Sequence, residues 1–259
     1  MKKLQILTTF SRNPARFERQ IHCLKSWAAI GAELIVARDS DNSELAPMFD
    51  ACDEIFGENY TSFGIEEPTI GEMLNFHNDG CVLILNADIE LDLDAQILPE
   101  LEREIGDGML ILPRTHDLAG KQDYAPWGIE GIFVDPTKSP ALVAMAERYR
   151  LGQPWWDVVL PLAHQRAGKK IYRPTEPIAF HKEHDHFWDL ALCDAVAAQA
   201  SIDLRTPVRA NSRAINHFST EAWNELFDWV QDIAIGEQTF VVTADPEPPP
   251  VLEAPCPTE

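Results

Sequence analysis

The chain has 259 residues, 45% of them hydrophobic, with 42 acidic against 21 basic residues and a formal net charge of -21. That length supports one substantial core, and that charge excludes nucleic acid and anionic membrane surfaces as broad partners. Five scattered Cys without a CxxC pair, no run approaching 18 apolar residues and only a short apolar stretch behind Lys2 and Lys3 predict reduced thiols, no membrane span and no signal peptide, hence a soluble cytoplasmic protein.

The first half alternates strand and helix. Leu4 to Phe10 reads as a strand, and Ser11-Arg12-Asn13-Pro14 as a turn that starts a helix, with Asn13 at the N-cap and Pro14 in the first helical position. Phe17, Ile21, Leu24 and Trp27/Ala28 form its apolar stripe, and Gly31 ends it. Ala32 to Ala37 is a second strand with a polar loop, Arg38 to Ser43, at its carboxyl end. A short helix near 44–51, a short strand at Glu54-Ile55-Phe56 and a helix from Pro68 to about Asn78 follow. Asp79-Gly80 then turns into Cys81-Val82-Leu83-Ile84-Leu85. This β-branched and Leu-rich run reads as a strand buried on both faces of a parallel sheet wound right-handedly.

Beyond it, strands are predicted at Met109 to Pro113 and Ile129 to Val134, helices from about Ser139 to Tyr149 and from Pro154 to near Gly168, and a short strand at 169–173. The pattern is helical from about Phe187 to Ala200 and from Ser219 to Ile235. The tail from Asp245 is rich in Pro and Glu and is predicted disordered. The predicted organisation is a nucleotide-binding and catalytic unit over 1–186, its helical C-terminal part over 187–243, and a disordered tail over 244–259.

Asn86, Asp88 and Glu90 follow the buried strand with a spacing of two, so an extended chain would project all three to one face. Ligands of open α/β sheets bind beyond the carboxyl ends of the strands. A carboxylate there can hold a hard divalent cation and, through it, a phosphate; equally, Asp88 can cap the next turn. His181, His184 and His186 fall within six residues, interleaved with acids, a density that points to function more than to three solvated side chains. No HExxH and no Cys accompany them, which disfavours zinc.

Taken in order, these segments resemble the GT-A glycosyltransferases, which bind a nucleotide-sugar donor. Thr9-Phe10-Ser11-Arg12 is similar to the loop after their first strand. Arg38-Asp39-Ser40-Asp41 stands where they carry an Asp-rich loop, with the first Asp replaced and the Gly missing. Asn86-Ala87-Asp88 stands for their Asp-x-Asp, with the second Asp kept. The likeness runs over about residues 4–92 and extends less clearly to about 185.

The resemblance implies an α/β GT-A (Rossmann-like), mostly parallel sheet flanked by helices, with a helical C-terminal region. It implies Thr9, Phe10, Arg12 and Asp39 at the nucleotide, where Asp39 can equally be a turn residue. It implies Mn²⁺ or Mg²⁺ on Asp88 and His181, with His184 the alternative, and Lys182 against the diphosphate. Trp127 and Glu130 resemble the acceptor segment, although Trp127 also suits a core turn. Of Trp155 and Trp156 at a helix start, one is expected to be partly exposed toward the acceptor. Asp157 would be the general base of an inverting enzyme, or else a carboxylate that complements the helix dipole. The partners implied are a nucleoside-diphosphate sugar donor and a carbohydrate or other hydroxyl acceptor, with retention of configuration left open. The alternatives are a metal-dependent hydrolase or nucleotidyltransferase, and a non-catalytic nucleotide- or sugar-binding protein, which the replacements at Arg38 and Asn86 favour. A Rossmann dehydrogenase lacks support, because no GxGxxG follows the first strand.

Overall fold

A computed structural model describes residues 3–37, 43–65, 67–116, 124–174, 177–182, 190–204 and 239–240; of 95, 116, 124–128, 190, 193, 194, 201, 204, 239 and 240 it describes the backbone alone. The strands are β1 (Gln5–Thr8), β2 (Glu33–Ala37), β3 (Tyr60–Phe63), β4 (Val82–Leu85), β5 (Ile89–Leu91), β6 (Met109–His116), β7 (Tyr124–Val134), β8 (Ile171–Pro174), β9 (Ala179–His181) and β10 (Thr239–Phe240). The helices are α1 (Phe17–Ala29), α2 (Ala46–Phe56), α3 (Ile70–Leu74), α4 (Leu98–Ile105), α5 (Pro140–Ala146), α6 (Trp156–Arg166) and α7 (Leu190–Leu204).

The sheet runs β10-β8-β6-β7-β4-β1-β2-β3. Its β4-β1-β2-β3 half is parallel, as the strand–helix alternation predicts, while β7 enters antiparallel between β4 and β6. The strand residues alternate between two cores, which is why their sequences read as unbroken apolar runs. Leu7, Ile35, Val82, Ile84, Ile111 and Ile132 face the α3, α5 and α6 side. Ile6, Leu34, Leu83, Leu85, Leu110 and Phe133 face the α1, α2 and α4 side. Gly131 lets β7 close on β4, because a Cβ there would lie 2.7 Å from Leu85 Cδ1 and 3.1 Å from the Ile84 carbonyl oxygen.

Two local expectations fail for identifiable reasons, and of two readings left open at Asn86 to Asp88 the turn is the one found. Glu54-Ile55-Phe56 is not a strand but the end of α2, whose buried Met48, Phe49, Cys52 and Phe56 keep a helical stripe; the strand comes later, as β3. The helix expected from Pro68 to Asn78 is only α3, started by a capping box between Thr69 and Glu72 and pinned where Ile70 N–H donates to the Tyr149 carbonyl at 2.7 Å. The chain also does not stay extended through Asn86-Ala87-Asp88. It turns after Leu85 and re-enters as β5, so the three polar side chains diverge. Among the described residues no helix is long and apolar enough to cross a membrane. Cys23, Cys52 and Cys81 are buried free thiols, and burial pushes Cys23 and Cys52 up to about 12, which makes them inert. The predicted helix over 219–235 and the tail lie outside the described residues.

Candidate active site

The turn after β4 and the pairing of β5 with β9 bring two distant segments together. Asn86 N–H donates to the Glu130 carbonyl oxygen at 3.4 Å, and Ile89 N–H to the Asn86 carbonyl oxygen at 3.4 Å, which closes the turn. Strand β5 is antiparallel to β9 with Ile89 opposite His181. Asp88, one residue earlier, therefore meets His181: its Oδ2 lies 3.5 Å from His181 Nε2. Helix α1 holds β5 in place. Trp27 Nε1 donates to the Ile89 carbonyl at 2.9 Å, Leu91 N–H donates to Ser26 Oγ at 3.3 Å, and Arg19 Nη1 reaches Glu90 Oε2 at 3.1 Å. Glu90, expected beside Asp88, is thus spent on Arg19 and on His22, whose Nε2 is 3.1 Å away. His181 is buried, and the Asp88 side chain is 14% exposed.

A second group of charges adjoins this pair. Glu130 on β7 is 1% exposed and ion-paired with Arg114 on β6, and Asn86 Nδ2 approaches its other oxygen at 3.5 Å. Burial alone would raise the Glu130 carboxyl, but the charges of Arg114 and His181 more than reverse this, and it stays below the usual carboxylate range. Asp157 behaves oppositely. Burial in the first turn of α6, then the negative charge of Glu130, push its carboxyl from 3.8 up to about 7, against an opposing pull from Arg114. The charges of Glu130 and Asp157 both act on Arg114, and so does that of Asp88. Asp88, His181, Glu130, Arg114 and Asp157 are therefore linked through their charges. A carboxyl that titrates near neutrality can accept a proton at physiological pH, whereas Glu130 is held as an anion by its partner.

Beside Asp88 a cleft of about 470 Å³ opens between the start of α1 and the β4–β5 turn. It is lined by Ala15, Arg16, Glu18, Arg19, His22, Asp88 and Lys182. Thr9 is half-buried at the end of β1 and Arg12 is exposed in the following turn, where Asn13 caps a 3-10 turn as the sequence predicts. Phe10 is 8% exposed and makes an edge-to-face contact with Phe49 at 5.8 Å, which leaves little of its ring at the surface. Asp39 and His184 lie outside the described residues. Trp127 belongs to β7, not to a turn before it.

The expectation that one of Trp155 and Trp156 is exposed is wrong: they are 1% and 2% exposed. Two features explain this. Helix α6 is buried on nearly every side, from Trp156 to His164. Trp155 is its N-cap in a left-handed backbone conformation, φ 79, off the helical repeat, which lets both indoles turn inward. A bulky residue held in that region is strained, and the strain sits two residues before Asp157. Glu130 is likewise withdrawn from any acceptor by its burial and its ion pair. Arg114 escaped the sequence reading, which ended its strand at Pro113. The available signal was a lone cation continuing an apolar strand.

The donor set suits a divalent ion of the manganese type. An imidazole nitrogen and a carboxylate oxygen 3.5 Å apart are close to the roughly 3 Å that separates neighbouring ligands of a six-coordinate ion. Mixed nitrogen and oxygen donors fit Mn²⁺ better than Mg²⁺, which prefers oxygen and water. Among the described residues no third His, Cys, Asp or Glu completes a set.

No family model matches the sequence, and no curated protein matches it. Solved structures do match the fold. Staphylococcus aureus TarS, residues 1–349 in complex with UDP-GlcNAc, superposes with a TM-score of 0.53 at 9% identity, over 82% of this chain and 69% of that one. The same TarS fragment with UDP gives 0.52 at 11% identity, over 85% and 73%. A longer TarS chain gives 0.52 at 10% identity, over 84% of this chain and 44% of that one. The fold is GT-A. In a GT-A sheet, as in open α/β sheets generally, the carboxyl ends of the strands are the place for a ligand. The Asp88–His181 pair and the cleft that Asp88 lines lie beyond the end of β4.

Proposed function

We propose that the protein is a metal-dependent glycosyltransferase that moves a sugar from a nucleoside-diphosphate donor to an acceptor hydroxyl with inversion. The observation that carries the reading is the pairing of Asp88 with His181 just past β4, supported by a carboxyl at Asp157 that is pushed up to about 7. Asp88 and His181 would hold Mn²⁺ or Mg²⁺, which supplies positive charge against the departing diphosphate. Lys182 is exposed in the cleft beside Asp88 and adds a second positive charge on the same side. The loop from Thr9 to Arg12, with Asp39, takes the nucleoside. Asp157 accepts the proton of the acceptor hydroxyl as its oxygen bonds to the sugar C1 and the C1–oxygen bond to the diphosphate breaks. Trp127 remains a candidate for the acceptor side, whereas the burial of Glu130, Trp155 and Trp156 leaves those three as supports of the pocket.

The test is a panel of nucleotide sugars, UDP-GlcNAc, UDP-glucose and GDP-mannose among them, incubated with the protein and Mn²⁺ and analysed by mass spectrometry. Release of a nucleoside diphosphate with glycoside or free sugar is expected, and chelation should abolish it. Sugar phosphate with nucleoside monophosphate would instead indicate a hydrolase or nucleotidyltransferase. Metal-dependent UDP or GDP binding with no product from any donor would indicate a binding protein.

A further inference from the structure

Asn86 stands where the Asp-x-Asp pattern has its first carboxylate, and on sequence alone the replacement reads as a lost ligand. Its surroundings give the amide a use of its own. Strands β4 and β7 pair antiparallel with Leu85 opposite Gly131, so Asn86 and Glu130 come next across the ladder. They meet twice. Asn86 N–H donates to the Glu130 carbonyl oxygen at 3.4 Å, and Asn86 Nδ2 lies 3.5 Å from Glu130 Oε2. The other carboxylate oxygen of Glu130 accepts from Arg114 Nε. Glu130 is 1% exposed, and against the cost of burial Arg114 holds it as an anion. Position 86 therefore faces a buried negative charge. A donor is favourable there, and a second carboxylate directly across the strands is not. Turn chemistry does not make this choice, because Asp and Asn both suit the first position of a turn.

We propose that Asn86 is a positioning residue: its amide, held by the Arg114–Glu130 pair, fixes the turn that aims Asp88 at His181. The inference rests on the proposed metal role of Asp88 and His181.

The path from Asn86 to Asp88 is a single turn. The Asn86 carbonyl oxygen accepts from Ile89 N–H at 3.4 Å, which closes residues 86–89. Ala87 and Ile89 are buried on either side of Asp88, and Ile89 enters β5 opposite His181. Asp88 is left half-buried, with its Oδ2 3.5 Å from His181 Nε2. The β5 end of the turn is tied to α1 through Trp27 and Ser26. Asn86 ties the β4 end to β7. With both ends fixed, the Asp88 carboxylate is held ready for an ion before the ion arrives. An ion pair as deep as Arg114–Glu130 is a poor source of stability in itself. As a fixed acceptor presented to this turn it has a use, and Arg114 keeps the acceptor charged.

The experiment is a Mn²⁺ titration of the full chain, with the free ion read by electron paramagnetic resonance, without nucleotide and again with UDP or GDP. Circular dichroism checks that each variant is folded. Asn86→Asp adds a carboxylate two residues from Asp88. If position 86 is a vacant ligand place, Mn²⁺ affinity rises. If Asn86 holds the turn through Glu130, affinity falls by about 10–100-fold, the usual cost of disturbing a group that orients a metal ligand. Asn86→Asp combined with Glu130→Gln exchanges donor and acceptor at constant charge and should bring affinity back toward wild type, which two unrelated lesions would not do. Should Asn86→Asp fail to fold, Asn86→Ala decides in its place, because it removes the donor and adds no charge; a loss of about tenfold is expected. Wild-type or tighter Mn²⁺ affinity in a folded Asn86→Asp or Asn86→Ala protein overturns the inference, and so does a double variant no better than Asn86→Asp. The metal reading fails separately: a wild-type protein that binds no Mn²⁺, or binding that survives Asp88→Ala, overturns that reading and takes this inference with it.

Discussion

Asp157 should make the folded protein less stable, and replacing it should show this. Its carboxyl titrates at 3.8 when unperturbed and is pushed up to about 7 in the fold by burial and by Glu130. A raised carboxyl means that the protonated form suits the folded state. Its contribution is complete below about pH 4, fades as pH rises toward 7 and is gone above that, where an anion must be kept in a poorly solvated place. Each unit corresponds to about 1.4 kcal/mol, so the full penalty at pH 8 is about 4 kcal/mol at most, and about 2 kcal/mol once partial solvent access is allowed for. Asp157→Asn removes the charge and keeps the size and the helix-start preference. For a domain of this size it should raise the melting temperature by roughly 4–8 °C at pH 8 and leave it nearly unchanged at pH 4. Transfer should fall by about 10²–10⁴-fold, the usual contribution of a general base. The assay is differential scanning calorimetry of wild type and variant from pH 4 to 8, with donor turnover measured on the same samples. An Asn variant with equal or lower melting temperature across that range would refute the burial argument. A stabilised variant with near-normal turnover would refute the base.

Three further outcomes are expected. Asp88→Ala and His181→Ala should each remove the Mn²⁺-dependent part of the thermal shift produced by UDP or GDP, which for wild type at 100 times the dissociation constant is about 2.7 kcal/mol. A shift that survives in His181→Ala would take that residue out of the ligand set. Gly131→Ala places a methyl 2.7 Å from Leu85 Cδ1 and 3.1 Å from the Ile84 carbonyl, and should cost about 1–3 kcal/mol in urea denaturation; an unchanged midpoint would mean that β7 yields freely. Asp203→Ala removes the acceptor shared by Arg148, Tyr149 and Gln199, and should cost about 1–3 kcal/mol and speed hydrogen exchange in α7 first. Uniform exchange across the chain would show that α7 is not held chiefly by this contact.

What could be read from the sequence followed from the range of the interactions involved. Val82 to Leu85 announces itself because a strand covered on both faces has no polar position to spare, and all four residues are indeed buried. Asp88 and His181 were singled out separately, each by its place after an apolar strand, and although 93 positions separate them the fold brings them to 3.5 Å. The turn at Asn86 stayed undecided against a continued strand, because an alternation of polar residues looks the same in both. Glu54 to Phe56 was misread because a three-residue window cannot hold a helical repeat, which becomes visible only with Met48 and Phe49 included. The two Trp were misjudged on the assumption that a helix buries one face, whereas α6 is enclosed. Arg114 was invisible because its significance lies in a cross-strand neighbour, and the irregular register between β6 and β7 that creates it has no local signature.

The same placement of charge bears on how an acidic protein can hold an anionic donor. A net charge of -21 opposes a diphosphate at long range, but at physiological salt that field is screened beyond about 8 Å, so the charges within the cleft decide. Two of those are already engaged, Arg19 and His22, both with Glu90. Asp88 and Glu18 bring negative charge to the cleft wall that cancels that of Arg16 and Lys182. On the proposed function, the charge that receives the diphosphate therefore has to arrive largely with the divalent ion on Asp88 and His181. That gives the binding step a distinctive signature: nucleotide affinity should depend steeply on Mn²⁺ and only weakly on sodium chloride. An enzyme that relied on a patch of Lys and Arg would show the reverse. Isothermal titration of UDP and GDP across both series distinguishes the two, and strong salt dependence with little metal dependence would return the leading role to Lys182 and Arg16.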